Sequence, residues 1–595
     1  KRTRGLIASL GAWQVSRRPL RYARAALLLI LALTIGLFAV SYTETWRRSQ
    51  VDQAAFQVGA DLRLTPDQRT GTAIPQWNLA SGYAQVDGVE HAMPVVRDIA
   101  SVSRSAGTGQ IIALDAAIAP SVVAFRPDLS AATFPALMQS LVAGRPDLPA
   151  LALPGDVQRV RVAVLVRLDP LAATADPVKD PPFSLTLILR DGTGTLYRVD
   201  VGSLAPGDTP TVVTASLAHP LLDGRVASPT APLSVVSFDV RTIVPRGAAR
   251  TGEVVIQSIE ASPSLDGDEW SPAGLGSPGD WVFSQGRLNG LSVAASIEPG
   301  SQPGVDARIA TGAVERNIML PLVYSFRPGA ASAPAGVPVV VSTAFLTATE
   351  AHLGDTVQIE LAGTRREVTI AGIVDAFPTT AADRAALIVD LPTYQALSYL
   401  DGGLLPGIEE WWLSTRPGSS GAVVGVVDAS PFFTWKLQSR DQRTTTLQTD
   451  PVALGIIGAL SVGFIAAILF ATVGFVVSAA VSAHERLTEF ALLRALGLSP
   501  RQLSGWLSLE NGLLVMISVI GGTILGLGLA WLILPFVTLT QSASEIVPGI
   551  IVVIPWSWII LLELAVVGLL AVVVTVLGLL LRRIGLGGLL RLGEE

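Results

Sequence analysis

The residues of this chain that suit catalysis or cofactor binding are four histidines, scattered acidic residues and several glycine clusters. The histidines show no paired-ligand spacing such as His-Glu-x-x-His, so a zinc site would have to be assembled by folding. They are His91, His219, His352 and His484. The chain has no cysteine, which excludes disulfides, thiolate metal sites and a cysteine nucleophile. It also lacks a Gly-x-Ser-x-Gly elbow, so we predict no catalytic residue and no metal ligand.

The glycine-rich segments do not predict a nucleotide site. A Gly-x4-Gly-Lys-Ser/Thr phosphate loop is absent, which excludes ATP hydrolysis of the P-loop kind by this chain. The segment 274–279 formally fits Gly-x-Gly-x-x-Gly, but no clear strand leads into it and Pro278 interrupts it. We predict no cofactor in this chain, so an ATP-driven role requires a partner.

Glu563 is an acid within an apolar run near the C-terminus. A charged side chain at the centre of a bilayer costs roughly 2.5–3.5 kcal/mol on insertion scales, so such a residue often marks function. The functional interpretation is a substrate or proton contact. The favoured alternative is a carboxyl about two turns from the outer end of a helix that bonds across helices or reaches water.

The most specific pattern lies between residues 482 and 502. One partly apolar helical face is formed by residues at i, i+3, i+4 and i+7 spacing: Leu487, Phe490, Ala491 and Arg494. Gly497 suits the left-handed position that ends a helix, and Ser499-Pro500 opens the next helix with a capping residue and a proline. Two helices that meet at a corner form a shape that another protein could grip. The alternative is an ordinary turn between two membrane spans.

The elements that position these residues are predicted to be membrane helices. Of the 595 residues, 50% are hydrophobic and only 15% are charged, against about 25% charged in an ordinary soluble domain. The net charge of −6 includes no concentrated basic face outside the N-terminus, which argues against a nucleic-acid partner. A helix needs about 20 apolar residues to cross a bilayer. The predicted transmembrane helices are 25–43, 451–483, 510–540 and 556–581.

Basic residues near the ends of the spans predict the orientation. Residues 1–24 carry seven basic side chains and no acidic one, and the segments 484–509 and 582–595 contain three arginines each. We therefore predict cytoplasmic termini, a cytoplasmic loop at 484–509 and a cytoplasmic tail at 582–595. Residues 1–24 are expected to form an amphipathic helix on the inner leaflet. In an alternative interpretation, Ala39-Val40-Ser41 is a signal-peptide cleavage site, although the apolar run exceeds a usual signal segment.

Residues 44–450 predict an extracytoplasmic α+β domain that contains an inserted β-sandwich. Short runs rich in Val, Ile, Leu and Thr alternate with Gly, Pro and Asp turns, a pattern typical of strands. About five strands, with Asp191-Gly192 as a hairpin turn, predict a jelly-roll-like sandwich over 158–262. The segment Ser271–Asp280 is rich in Gly, Pro and Ser and predicts a linker. The two parts of the predicted α+β core are 44–157 and 263–450.

At the corner the sequence resembles the FtsX-like permease family, which includes MacB-type and lipoprotein-releasing permeases. The resemblance rests on Glu485-Arg486-Leu487-Thr488-Glu489-Phe490-Ala491-Leu492-Leu493-Arg494-Ala495-Leu496-Gly497-Leu498-Ser499-Pro500, on Glu510 and on Gly521-Gly522-x3-Gly526-x-Gly528. Residues 339–342, 353–357 and 368–374 resemble the outer core domain of that family, and its one-plus-three arrangement of spans also matches. The inserted sandwich departs from compact members, so their substrates do not transfer. Together with Gly11-Ala12-Trp13-Gln14, it resembles larger permeases of two fused modules, so we expect this chain to be a C-terminal module.

The resemblance implies a non-catalytic ABC transporter permease subunit in the bacterial inner membrane. A separate cytoplasmic ATPase dimer, with its own ATP and Mg, would grip the corner. A second permease module, as a homodimer partner or a paired half, and membrane lipid would complete the assembly. The implied ATPase-coupling residues are Glu485, Arg486, Glu489, Phe490, Leu493, Arg494, Gly497, Ser499 and Pro500. Close helix packing is predicted at Gly455, Gly458, Gly522 and Gly526.

The implied function is to couple ATP hydrolysis to movement of the extracytoplasmic domain. The purpose would be export, extraction or handling of an envelope substrate, namely a lipoprotein, a lipid or a peptide. The alternative is a membrane sensor or regulator whose outer domain binds a glycan, a peptide or a cell-wall hydrolase.

Overall fold

The computed structural model divides the chain into two compact units. We call Lys1–Gln53 with Thr444–Glu595 the helical unit and Ala54–Arg443 the sheet unit. Each unit has its own hydrophobic core. The structure describes residues 19–67, 74–103, 107–170, 181–221, 224–244, 249–286, 295–300, 305–312, 321–331, 334–403, 405–485, 500–537 and 547–583.

The helices begin where the sequence supplies apolar runs and capping side chains. The α-helices are α1 Pro19–Val58, α2 Gln76–Ala84, α3 Ala119–Val122, α4 Phe134–Val142, α5 Thr343–Thr349, α6 Leu391–Gly402, α7 Ser420–Val427, α8 Arg440–Gln448, α9 Pro451–Glu485, α10 Pro500–Val537 and α11 Trp556–Arg583. Short 3-10 helices lie at Pro127–Leu129 and Pro278–Asp280. The Asp450 carboxylate accepts the Val452 backbone N–H at 3.0 Å, and Pro451 occupies the first turn of α9.

Four helices of the described chain are long and apolar enough to cross a membrane. The candidate spans are Ala23–Val58, Pro451–Ser482, Ser508–Pro535 and Trp556–Val576. One lies before the large β-rich region and three follow it, which confirms the predicted one-plus-three layout. Helix α1 continues beyond the predicted end at residue 43, because Glu44–Arg47 and Arg48–Asp52 form ion pairs at helical spacing. The predicted amphipathic segment lies outside the described residues up to position 18.

The four long helices share one core in which α1 is the most enclosed. Half of the most apolar window of α1 is buried, against 33% for α10, 17% for α11 and 6% for α9. All four helices contribute side chains to this core: Leu29, Ala32, Leu33, Ala471, Phe475, Leu514, Val515, Val566 and Leu570. Helix α1 is therefore the centre of the helical unit, and α9 presents most of its apolar surface outward.

The sheet unit is built on a nine-stranded mixed sheet, which we call the core sheet. Its strands are β1 Leu62–Pro66, β2 Val89–Ser103, β3 Gly107–Leu114, β18 Val337–Ser342, β19 Thr356–Leu361, β20 Thr364–Val374, β21 Ala386–Asp390, β22 Glu410–Thr415 and β23 Thr434–Ser439. Their spatial order is β19-β20-β18-β21-β3-β2-β22-β1-β23. The chain segments before and after the central β-rich region thus contribute strands to one sheet.

Helices cover both faces of the core sheet. Trp411 faces one hydrophobic cluster, with side chains from α2, α5, α6 and α7, and Trp412 faces the other, with α3 and α4. The same alternation holds at Ile111 and Ile112. This period of two is what a strand requires when both sides are buried.

Two six-stranded sheets lie between the two parts of the core sheet in the sequence, and we call them together the sandwich. Its strands are β4 Leu151–Ala152, β5 Arg159–Leu168, β6 Phe183–Arg190, β7 Leu196–Leu204, β8 Thr211–Ser216, β11 Ser234–Ile243, β12 Thr251–Ser262, β13 Ser271–Ala273, β14 Trp281–Gly286, β15 Ser296–Pro299, β16 Val305–Ala310 and β17 Pro321–Pro328. The orders are β14-β17-β11-β6-β7 with β4 on β11, and β15-β16-β12-β5-β8 with β13 on β12. Side chains of both sheets form one core. A separate two-stranded ribbon pairs β9 His219–Pro220 with β10 Val226–Ala227.

The sandwich is larger than the predicted 158–262. It reaches from Leu151 to Pro328. The predicted linker Ser271–Asp280 instead contains β13, and the side chain of Trp281 directly after it is buried against Phe238 at a ring distance of 5.8 Å. Of the strands beyond residue 262, β14 and β15 lie at sheet edges, where a strand has one free side, whereas β16 and β17 lie inside their sheets.

Candidate functional site

The predicted coupling corner lies between two described helices. Glu485 is the last residue of α9 and is exposed, and Pro500 is the first residue of α10. The other predicted coupling residues lie outside the described residues: Arg486, Glu489, Phe490, Leu493, Arg494, Gly497 and Ser499. The structure thus supplies the two helices that flank the corner.

Two of the four predicted packing glycines lie at a close helix contact. A Cβ built on Gly522 would lie 2.6 Å from Leu33 Cβ, and one on Gly526 would lie 2.8 Å from Leu37 Cβ. Thr34 Oγ1 also donates to the Gly522 carbonyl at 3.5 Å. Helix α10 therefore approaches α1 through a Gly-x3-Gly face, which is how membrane helices gain contact area without a hydrophobic driving force.

The other two predicted packing glycines face open space. Nothing lies within 4 Å of a Cβ built on Gly455 or Gly458 in α9. The close contact of α9 with α1 instead uses Gly36, where an added Cβ would collide with the Phe464 ring. Sequence reasoning missed Gly36, because a single glycine in an apolar run does not reveal which helix face it occupies.

Glu563 makes a bond across helices. The Thr523 hydroxyl of α10 donates to Glu563 Oε1 of α11. The carboxyl is half-buried. This is the geometry of the favoured alternative, in which the acid bonds across helices.

An elongated groove of about 700 Å³ lies among α1, α9 and α11 of the helical unit. Its walls are mainly apolar and include Gly36, Phe464, Trp558 and Leu562. Glu44 and Arg47 also line it and form an ion pair, with Arg47 Nη2 2.7 Å from Glu44 Oε1. The groove thus has mainly apolar walls together with one ion pair.

The sheet unit contains a buried polar network between the core sheet and the sandwich. Arg145 donates through Nη2 to Asp390 Oδ1 at 2.8 Å and to Asp115 Oδ1 at 2.6 Å. Both carboxylates are 1% exposed. The Nη1 atom also donates to the Thr193 carbonyl in the β6–β7 turn at 3.2 Å. Arg145 therefore links the ends of β3 and β21 to a sandwich hairpin.

Removal from water raises the pKa of two carboxyls in this region, Asp115 and Asp191. Burial raises the pKa of Asp115, and the Arg145 charge offsets this only in part. Burial also raises the pKa of Asp191 to about 6, against hydrogen bonds from the Thr193 and Thr195 N–H groups that lower it. Asp115 Oδ2 has no hydrogen-bond partner among the described residues. Arg145 thus pairs with two carboxyls, Asp115 and Asp390. The contacts of Arg145 therefore depend on the protonation state of these carboxyls.

Helix α6 joins the sandwich to the core sheet. The Tyr399 hydroxyl donates to Asp239 Oδ1 of β11 at 2.8 Å, and burial raises the pKa of Asp239. The Gln395 amide accepts from Leu196 N at 2.8 Å and donates to Leu196 O at 3.0 Å. Asp390 caps the N-terminus of the same helix. Sequence reasoning missed these contacts, because their partners are about 160 to 200 positions away in the sequence.

The histidines lie in different elements. His91 lies in β2, His219 in β9 and His484 in the last turn of α9, while His352 lies between α5 and β19 next to Asp355. Within the described part of the chain, no three His, Asp or Glu side chains are grouped so as to hold a metal ion.

Comparison with known proteins assigns the C-terminal helices. Residues 452–586 match the family model of the FtsX-like permease C-terminal domain. No curated protein matches the chain. Permeases of this family are transport subunits of ABC transporters and generally pair with an ABC ATPase. The matched segment covers α9, α10 and α11 and includes the Gly522 and Gly526 contact with α1. Residues 452–586 are therefore similar to the C-terminal domain of FtsX-like permeases, and together with the four long apolar helices they indicate a membrane protein.

Proposed function

We propose that this chain couples ATP hydrolysis by a separate cytoplasmic ABC ATPase dimer to the handling of a lipid-bearing envelope substrate. The observation that carries the proposal is the family match over 452–586, on the helices that flank the predicted corner. No ATP or Mg site is proposed in this chain, since both belong to the ATPase. The chain is proposed to lie in a bacterial inner membrane with both termini in the cytoplasm, as the arginine distribution favours.

The lengths of two helices support a mechanical role. Helix α9 has 35 residues and α10 has 38. At about 1.5 Å per residue each exceeds 50 Å, well beyond a hydrocarbon core of about 30 Å. Both therefore extend past the bilayer core, and α10 is held closely against α1 at Gly522 and Gly526. A force applied at the corner would be transmitted along these helices to α1.

The groove among α1, α9 and α11 supports a substrate with an acyl chain. Its apolar walls suit a hydrocarbon chain, and the Glu44–Arg47 pair offers one charge of each sign to a polar headgroup. Helix α9 is the least buried of the four spans, so lipid or a second permease module is proposed to cover its outer face. An acylated peptide or a lipid fits these features better than a wholly polar substrate.

A sensor or regulator is the second candidate. A pocket in the sheet unit favours ligand binding by that unit, because it contains the half-buried Arg198, whose side chain makes no hydrogen bond or ion pair with a described residue. In a sensor, a bound ligand would change ATPase activity without transfer of any substrate.

The decisive experiment is purification from native membranes in mild detergent with mass spectrometry of the bound proteins. We compare the wild type with Phe490→Asp/Arg494→Glu. The control is Leu353→Asp/Arg384→Glu, which makes the same kinds of change at exposed positions of the sheet unit. We expect a stoichiometric ABC ATPase with the wild type and the control and its loss from the corner variant. An ATPase retained by the corner variant would refute the contact site, and no ATPase with the wild type would refute the coupling role.

A further inference from the structure

A pocket of about 410 Å³ lies inside the sheet unit where the sandwich meets the core sheet. We call it the seam pocket. It is formed by β7, the first turn of α2, helix α6 and the loop 405–408. Its volume is within the range of about 300–1,000 Å³ found for small-ligand sites. Polar and aromatic residues that line the seam pocket include Gln76, Trp77, Tyr197 and Arg198.

Arg198 is the feature that indicates a ligand. It lines the seam pocket and is half-buried, yet it makes no hydrogen bond or ion pair with any described residue. Burial lowers its pKa, and the neighbouring Arg241 lowers it further. Arg241 likewise has no hydrogen bond or ion pair within the described chain. Two cations therefore repel each other at a partly dehydrated site, where no carboxylate of the described chain is hydrogen-bonded to Arg198.

The nearby carboxylates do not neutralise this site by direct contact. Asp239 accepts hydroxyl bonds from Tyr399 and Ser237, and Asp200 accepts one from Thr186. Their charges raise the pKa of Arg198 only in part against burial and Arg241. Arg145, in the same unit, shows the contrast, because two buried carboxylates and a carbonyl bind its guanidinium.

Hydrogen bonds hold Trp77 and Gln76 in place in the walls of the seam pocket, and the Gln76 side chain keeps one amide oxygen available as an acceptor. The Trp77 indole N–H donates to Leu217 O at 3.0 Å, which holds the ring in place. Gln76 Nε2 donates to Ile408 O at 3.2 Å, while Gln76 Oε1 accepts no hydrogen bond from a described residue. The pocket therefore offers a planar cationic donor, a single amide acceptor and aromatic walls.

We propose that the seam pocket binds the C-terminal end of a peptide, with the Arg198 guanidinium holding the terminal carboxylate. A guanidinium binds a carboxylate through two parallel N–H bonds. Every peptide has an amide N–H next to its terminal carboxylate, which suits Gln76 Oε1, and its side chains suit the walls at Trp77 and Tyr197. This site is independent of the ATPase and extends the proposed function by giving the sheet unit its own ligand.

The test is fluorescence anisotropy of the full-length chain in detergent micelles without nucleotide. The probe is a pool of N-terminally labelled random pentapeptides with free C-terminal carboxylates, compared with the same pool amidated at the C-terminus. We expect the amidated pool to bind at least about tenfold more weakly, the size of one lost charge-assisted interaction. Equal binding of the two pools, or no binding of the free-carboxylate pool, would overturn the proposal.

Arg198→Gln is expected to weaken binding of the free-carboxylate pool by at least about tenfold. The matched control is Arg167→Gln on β5, whose arginine pairs with Asp208 and Glu253 at the surface and whose loss should leave binding unchanged. Because the Arg198 side chain makes no hydrogen bond or ion pair with a described residue, Arg198→Gln should keep the wild-type melting temperature while losing the rise that the peptide pool gives. A variant that binds like the wild type would refute the role of Arg198. Competition by glucuronate together with no effect of peptide would refute the peptide assignment in favour of an acidic sugar.

Discussion

Helix α6 of the sheet unit and helix α1 of the helical unit each join several elements, and they do so with different contacts. Around α6, apolar packing is accompanied by buried polar contacts, which include Asp390 with Arg145 and Tyr399 with Asp239. Around α1 they are apolar and close, with Gly522 and Gly526 of α10 against Leu33 and Leu37. Both helices are enclosed, but different chemistry holds them.

The difference follows from the surroundings of each helix. In water, burial of apolar surface drives packing, and a charge that is buried along with it must be paired to avoid a large penalty. Within a bilayer the lipid is as apolar as the side chains, so helices associate through close van der Waals contact at small residues. Polar partners are therefore required around α6, and side-chain size is decisive around α1.

The largest effect is expected from Arg145→Met in the sheet unit. This change leaves Asp115 and Asp390 buried without their counterion and should lower the free energy of unfolding by about 3–5 kcal/mol. Denaturant unfolding of the full chain in detergent measures the loss, and hydrogen exchange should increase at the β6–β7 turn. The control is Arg416→Met, which removes a solvent-exposed pair with Asp87 and should cost about 0–1 kcal/mol. Equal losses for the two variants would show that the network does not hold the sandwich.

A smaller effect is expected from Gly526→Leu in the helical unit. The added side chain would collide with Leu37, and overpacking of this kind typically costs about 1–3 kcal/mol. The matched control on the same helix is Gly528→Leu, where nothing lies within 4 Å of a Cβ. Unfolding in mixtures of mild detergent and SDS compares the two. If Gly528→Leu destabilised as much as Gly526→Leu, the assigned α1–α10 contact would be wrong.

The smallest effect is expected from Thr523→Val, which removes the bond to Glu563 across α10 and α11. Hydrogen bonds between membrane helices average about 0.6 kcal/mol, with a maximum near 1.7. Thr575→Val serves as the control, because among the described residues the Thr575 hydroxyl bonds only Ala571 O of its own helix. The same SDS unfolding assay applies. If Thr523→Val lowered the free energy of unfolding as much as Arg145→Met, polar contacts would stabilise the helical unit as strongly as the sheet unit. That result would contradict the comparison between the two units.

The local elements could be predicted from the sequence because local terms determine them. An uninterrupted apolar run specifies a membrane helix through its length alone, and all four spans are confirmed. The start of α6 follows from Asp390, which caps the helix, and Pro392 in its first turn. Helix α5 ends at Thr349, because Glu350 adopts a left-handed conformation there.

The contacts within the candidate sites could not be predicted, because they join distant positions. Arg145 and Asp390 are 245 residues apart, and nothing in the local sequence of either indicates the other. Gly455 and Gly522 look alike in the sequence, but only Gly522 faces another helix. The sequence likewise does not show that the Arg198 side chain makes no hydrogen bond or ion pair with a described residue, because this depends on the side chains that folding brings near it.

The sequence by itself determined the number of membrane spans, the β-rich region after the first span and the resemblance of the C-terminal helices to the permease family. These features depend on run length, alternation and short motifs, which act over a few turns of chain. Only the tertiary structure decided which glycines touch α1, how far the sandwich extends and which charges are paired. The physical reason is that packing and charge pairing depend on distances between side chains that folding brings together from remote parts of the chain.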